Sequence, residues 1–334
     1  MSAGIGVIGA GAWGTALAQS LAGDGSDVLL WAREPELAER INADRRNEVY
    51  LPGAALAETV RATSNLADLA ALPVLLAVVP AQFLGGVLAQ LPPLGFSGDL
   101  VLCAKGIEAG TGRLMADVAA QAVPHGQIAV LSGPTFAHEV AAGLPTAVTL
   151  ACAGGDAQWR RLSPLIARPS LRPYYSDDVI GAEIGGAVKN VLAIACGVVD
   201  GLKLGQNARA ALIARGYAEM LRFGVARGAR VETLSGLCGL GDLVLTCSST
   251  SSRNFSLGLA LGQGLTAAEA LSGKNSVAEG AATAPVLAEL ARRDGIEMPI
   301  AEAVSRLLEG KVPAGEVVAQ ILSRPLRAEQ EQRS

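Results

Sequence analysis

The sequence is poor in charge, in histidine and in paired cysteine. Only 17% of its 334 residues are charged, and the 31 acidic residues outnumber the 27 basic ones, for a formal net charge of −4. No basic stripe runs through it, which argues against nucleic acid as a partner. The two histidines, His125 and His138, join no ligand-spaced cluster, so no metal site is expected. The five cysteines, Cys103, Cys152, Cys196, Cys238 and Cys247, form no C-x-x-C pair. Most sit in apolar runs and read as small buried residues of a reducing compartment. No internal repeat stands out. Two uncharged stretches invite a membrane reading. Residues 1–23 lack the positive charge that opens a signal peptide, and glycines interrupt them. Leu69 to Gly98 is broken by Pro73, Pro80, Pro92, Pro93, Gly85 and Gly86 into a strand and a helix of a buried core. No membrane span is expected, and the chain reads as a soluble, cytoplasmic protein.

Half of the residues are hydrophobic, enough for two domains and a large core. The clearest local signal lies at the start. Ile5-Gly-Val-Ile8 enters Gly9-Ala-Gly11-Ala-Trp13-Gly14, which opens an Ala/Leu-rich helix, and Asp27 to Trp31 is a second apolar run. This is a βαβ unit with Gly9, Gly11 and Gly14 in G-x-G-x-x-G spacing. Gly9 permits a tight turn, Gly11 lets a pyrophosphate approach the backbone, and Gly14 lets the helix pack on the strand. The helix start, with free N–H groups and the positive end of the dipole, favours phosphate. Arg33 follows the second strand, where an arginine can hold the 2′-phosphate of NADP. A solvated arginine is the alternative there, and Glu34 beside it could serve the ribose.

Further apolar runs, Val74–Val79, Leu100–Ala104, Gln127–Leu131, Thr146–Cys152 and Ser170–Tyr174, alternate with helical stretches. They predict an α/β fold with a doubly wound, mainly parallel sheet. Ligands of such sheets lie beyond the carboxyl ends of the strands, where Pro80, Lys105 and Gly133-Pro134 fall. After Asp178 long helical patterns take over. The predicted boundary puts a dinucleotide-binding domain at residues 1–178 and an all-helical, substrate-binding domain at 179–325, with 326–334 as a tail.

Lys189 is the only charged residue between Glu183 and Asp200. Gly185 and Gly186 share its helix face, which suggests a face cleared for a small ligand below an amine. Burial lowers a lysine pKa and makes acid/base work possible. The bland reading is a snorkelling lysine with glycines for close packing. Asp242 is the lone acid between Leu234 and Leu245 and needs a partner if buried. Ser252-Arg253-Asn254 can open a helix and form an anion site, or be an ordinary cap. Glu279, near another predicted helix start, is bland alone.

Gly9–Gly14, Ala104-Lys-Gly-Ile-Glu108, Ser132-Gly-Pro-Thr-Phe-Ala137, Ala187-Val-Lys-Asn190, Gly241 to Cys247 and Ser252-Arg-Asn254 occur together in one order and spacing. The chain thereby resembles the bacterial NAD(P)-dependent glycerol-3-phosphate dehydrogenases over nearly its whole length. The resemblance implies a Rossmann domain, a helical domain and often a homodimer. It also implies interconversion of dihydroxyacetone phosphate and sn-glycerol 3-phosphate with NADP or NAD, for phospholipid synthesis. It makes Lys189 the proton acceptor, and the expected catalytic group is Lys189, Asp242 and Lys105. Lys105, Gly133, Thr135, Lys189, Asp242, Ser252, Arg253 and Asn254 fall at substrate positions. Gly9, Gly11, Trp13, Gly14, Arg33, Lys105, Ala137, Arg253, Val277 and Glu279 fall around the dinucleotide. Ala12 replaces a common serine, and Phe255-Ser256 follow Asn254 where relatives often carry arginines. Two rivals are a related two-domain hydroxyacid or ketoacid reductase and a non-catalytic dinucleotide sensor. Arg253 and Asn254 favour a phosphorylated substrate over the first, and a buried acid/base pair argues against the second.

Overall fold

The computed structural model describes residues 4–272, 278–310 and 312–323. Val277 and the expected tail 326–334 lie outside the described residues. Among the described residues there are ten strands: β1 (Ile5–Ile8), β2 (Val28–Trp31), β3 (Arg46–Asn47), β4 (Leu51–Ala55), β5 (Val60–Thr63), β6 (Val74–Ala77), β7 (Asp99–Leu102), β8 (Gln127–Ser132), β9 (Thr146–Cys152) and β10 (Leu171–Ser176). Eight of them form one sheet in the order β10-β9-β8-β7-β6-β1-β2-β5. Every neighbouring pair is parallel except β8 and β9. β1, β6 and β7 are buried along their whole length, because helices cover both faces. That is why their sequences read as unbroken apolar runs rather than alternating ones.

The chain winds outward from β1 through β2 to β5, then returns to place β6 on the other side of β1. This reversal creates a crevice at the carboxyl ends of β1 and β6. The turn after β1, Pro80 after β6, Lys105 after β7 and Gly133 after β8 share that rim. β5 and the small β3–β4 hairpin have no counterpart in the sequence reading. Leu51-Pro-Gly-Ala-Ala55 contains the residues that usually punctuate strands, and β5 is only four residues long.

Beyond β10 no strand occurs among the described residues. The second half is built on the helix Val179–Gly201, whose N-cap Asp178 accepts a hydrogen bond from the Gly181 N–H at 2.8 Å. It is buried nearly all round, so it shows no polar stripe. By length and hydropathy it could cross a bilayer, yet 89% of its most apolar window is enclosed by protein. Helices Arg253–Gly262 and Glu279–Arg293 pack on it. The first approaches at glycines: a Cβ on Gly258 would lie 1.9 Å from the Ile194 carbonyl oxygen, and one on Gly197 2.1 Å from that of Phe255. All five cysteines are buried free thiols.

Candidate active site

The first part of the site is the glycine turn. Gly9 has φ +112°, a conformation that glycine adopts without strain. A Cβ on Gly14 would lie 1.8 Å from the Gly9 carbonyl oxygen, so the helix Ala12–Leu21 can close onto the turn only with glycine there. Gly11 is the N-cap. It offers no side-chain cap, and a Cβ built on it would meet only open space. The helix start thus has no side-chain cap and open space beside Gly11, and the indole Nε1 of Trp13 is buried without a partner. An uncapped helix start, open space and an orphaned donor fit a dinucleotide pyrophosphate. Behind the turn Asn47, almost fully buried, donates to the Ala10 carbonyl and the Thr15 hydroxyl, both at 2.8 Å. Nothing local in the sequence marked Asn47 for this, because its partners lie more than thirty residues away.

Arg33 follows β2. Its Nε and Nη2 donate to one carboxylate oxygen of Glu34 at 2.9 and 2.6 Å. Both side chains face solvent, with 77% and 42% of their surface exposed.

The second part is a buried ionic cluster where the two halves meet. A π-helical turn, Leu237–Gly241, leads into the short helix Asp242–Thr246. Asp242 is 0% exposed. Its Oδ1 accepts from Lys189 Nζ at 2.9 Å and its Oδ2 from Lys105 Nζ at 2.7 Å. Thr246, one helical turn on, accepts from Lys189 Nζ at 2.9 Å and donates to Asp242 Oδ1 at 3.2 Å. Lys105 also donates to the Gly133 carbonyl at 2.9 Å. Each ammonium group thus uses two of its three N–H bonds on the protein and keeps one. Lys189 retains 6% exposure and the Lys105 side chain 12%.

Two like charges flank one opposite charge. Burial pulls the Lys189 pKa down to about 8, aided by the Lys105 charge and opposed by Asp242. Burial alone would raise the Asp242 carboxyl, but the two lysines outweigh it and hold the carboxyl below its ordinary value. With all three groups ionised the cluster carries one net positive charge, suited to an oxygen that gains negative charge.

The bared face around Lys189 has a different purpose from the one its spacing suggested. A Cβ on Gly185 would lie 2.5 Å from the Cys238 carbonyl oxygen. One on Gly186 would lie 3.0 Å from Ser132 Oγ and 3.2 Å from Lys105 Cγ. The glycines admit the π-helical turn and the Lys105 stem, not a ligand. Spacing reveals that a helix face is bare, not what fills it.

A hydrogen-bond chain joins the cluster to the remaining candidates. Asn190 donates to the Lys105 carbonyl and accepts from Asn254 Nδ2, both at 2.9 Å, and Asn254 Oδ1 accepts from the Gly280 N–H at 2.9 Å. Next to Gly280, Glu279 accepts from the Ala81 N–H at 2.9 Å and so ties the helical half to the rim after β6. Ser252 caps the helix Arg253–Gly262 through the Phe255 N–H. Arg253 is exposed at that helix start. Thr135 Oγ1 is held by the Gly133 carbonyl, and Ala137 opens a short helix on the same rim. Asn190 and Thr246 had no role in the sequence reading. Thr246 was findable as the residue four after Asp242, and Asn190 as the one amide in an apolar helix.

Two family models cover the chain. Residues 4–158 match the NAD-dependent glycerol-3-phosphate dehydrogenase N-terminus, and residues 178–319 match the C-terminus of the same family. The chain belongs to the NAD-dependent glycerol-3-phosphate dehydrogenases. A glycerol-3-phosphate dehydrogenase [NAD(P)+] of Erythrobacter litoralis is 70% identical over 331 residues, 99% of each chain. One of Novosphingobium aromaticivorans is 71% identical over 325 residues, 97% of this chain and 98% of the relative. The crystal structure of the Coxiella burnetii glycerol-3-phosphate dehydrogenase superposes with a TM-score of 0.91 at 41% identity, covering 96% of this chain and 98% of that one. This dehydrogenase is therefore an oxidoreductase that uses NAD or NADP, with a Rossmann-type N-terminal domain and a helical C-terminal one.

Proposed function

We propose that this NAD(P)-dependent glycerol-3-phosphate dehydrogenase reduces dihydroxyacetone phosphate reversibly with Lys189 as its general acid and base. The observation that carries the assignment is the Lys189–Asp242–Lys105 cluster: a buried amine, depressed to about 8, with one N–H uncommitted. When bound at the glycine turn, the dinucleotide supplies the hydride. Lys189 Nζ gives a proton to the C2 oxygen of the ketone and takes it back in the oxidative direction. Lys105 faces the same growing negative charge, and Asp242 and Thr246 hold the amine in place. Proton transfer of this kind is worth about 10²–10⁴-fold.

The substrate phosphate is assigned to Arg253 and the N–H groups of the helix it opens, with Gly133, Thr135, Ser252 and Asn254 shaping that wall. Ser252 and most of Asn254 are already engaged by protein groups, so they position more than they bind. The dinucleotide is assigned to Gly9, Gly11, Trp13, Gly14, Arg33, Ala137 and Glu279. Residues 1–178 are taken as the dinucleotide-binding domain and 179–325 as the substrate-binding domain. The end of β10 at Ser176 and the helix start at Val179 support that division. By the family resemblance we place the enzyme in the cytoplasm as a homodimer supplying phospholipid synthesis.

Lys189→Ala should lower kcat for dihydroxyacetone phosphate at least about 100-fold while NADPH still binds. Stopped-flow absorbance and a binding titration check this. Near-normal turnover would remove Lys189 from its role.

A further inference from the structure

The Arg33–Glu34 pair bears on cofactor choice. Arg33 Nε and Nη2 converge on a single oxygen of Glu34, at 2.9 and 2.6 Å, directly after β2. Glu34 is also the N-cap of the ten-residue helix Pro35–Asp44, yet its side chain caps no N–H group. Its carboxylate is held instead by the guanidinium, beside the positive end of that helix. A 2′-phosphate would seek the same guanidinium and the same helix end. An adenosine ribose with a free 2′-hydroxyl would seek an acceptor, which the carboxylate provides.

We propose that Glu34 is a specificity-determining residue, an internal anion that competes with the 2′-phosphate of NADP for Arg33 and so keeps NAD usable. The proposal rests on the assignment of Arg33 to the dinucleotide. With NADP, Arg33 must leave Glu34 or share it, and sharing sets a carboxylate beside a phosphate of like charge. With NAD the ion pair stays intact and its carboxylate remains free to accept from the ribose. Because both side chains are exposed, the discrimination is modest and screened by salt.

The test is a set of titrations of NADPH and NADH by calorimetry on the full-length enzyme, its Glu34→Gln and Arg33→Ala variants and the double variant. Glu34→Gln should shift the ratio of the two dissociation constants toward NADPH by about two- to five-fold at low salt, and less at high salt. The double variant should show no such shift relative to Arg33→Ala, since the competition needs the guanidinium. If Glu34→Gln leaves the ratio unchanged while Arg33→Ala weakens NADPH, the competition is refuted and Arg33 keeps its role. If Arg33→Ala leaves NADPH binding untouched, the assignment of Arg33 itself falls. An equal weakening of both cofactors by Glu34→Gln marks Glu34 as structural only and also refutes the proposal.

Discussion

In the role proposed for it, Lys189 should set the pH behaviour of the enzyme. Its pKa of about 8 lies below the ordinary 10.5 because burial penalises the charged amine. Reduction needs the protonated form, so kcat for dihydroxyacetone phosphate should fall as pH rises through about 8, whereas oxidation of glycerol 3-phosphate should rise over the same interval. Initial rates in both directions across pH 6–10 check this, and parallel profiles would contradict it. The same shift has a cost in stability. Between about 8 and 10.5 the unfolded chain holds more protons at this lysine than the folded protein does. The penalty is therefore fully present below that window and is relieved as pH rises through it. Asp242 works in the opposite sense: its lowered carboxyl pKa contributes stability at neutral pH that is lost on acidification.

At the scale of elements, the site depends on how closely two helices approach. The helix carrying Lys189 and the helix opened by Arg253 touch at backbone distance along Gly197, Gly201, Gly258 and Gly262. A methyl group at Gly258 has nowhere to go, since its neighbour at 1.9 Å is a carbonyl oxygen rather than a movable side chain. Gly258→Ala should destabilise the protein by about 3 kcal/mol, the upper range for overpacking, even though alanine is the better helix former. Urea unfolding measures the loss. A variant as stable as the parent would show that the helices can part without penalty.

Across the whole molecule, an amide chain carries the sheet rim to the helical half. It runs from the Lys105 carbonyl through Asn190 and Asn254 to Gly280, and the neighbouring Glu279 reaches back to Ala81. Asn190→Ala removes two of these bonds and leaves the part-buried Lys105 carbonyl and the buried Asn254 amide short of partners. The expected loss is about 2–4 kcal/mol of stability. The release of Lys105 from its register should also lower kcat more than it changes binding of the dinucleotide. Urea unfolding and steady-state kinetics separate the two effects, and unchanged kcat would make the chain a purely structural tie.

The amino-acid sequence by itself determined seven of the eight strands of the main sheet, the glycine turn and the helical second half. These rest on local patterns: apolar runs of strand length, glycines at fixed spacing, and helical periodicity after Asp178. It also singled out Lys189 and Asp242, because a lone charge in an apolar stretch is visible without any structure, and Lys105 by its place beyond a strand's carboxyl end. Only the tertiary structure decided how these groups work together. The carboxylate that joins the two lysines lies 53 residues from one and 137 from the other, a separation that no local pattern reports. It likewise decided that Gly185 and Gly186 make room for protein rather than ligand, and that Arg33 is already paired with Glu34. Side-chain placement across a fold depends on what packs opposite, and that is fixed only when distant segments meet.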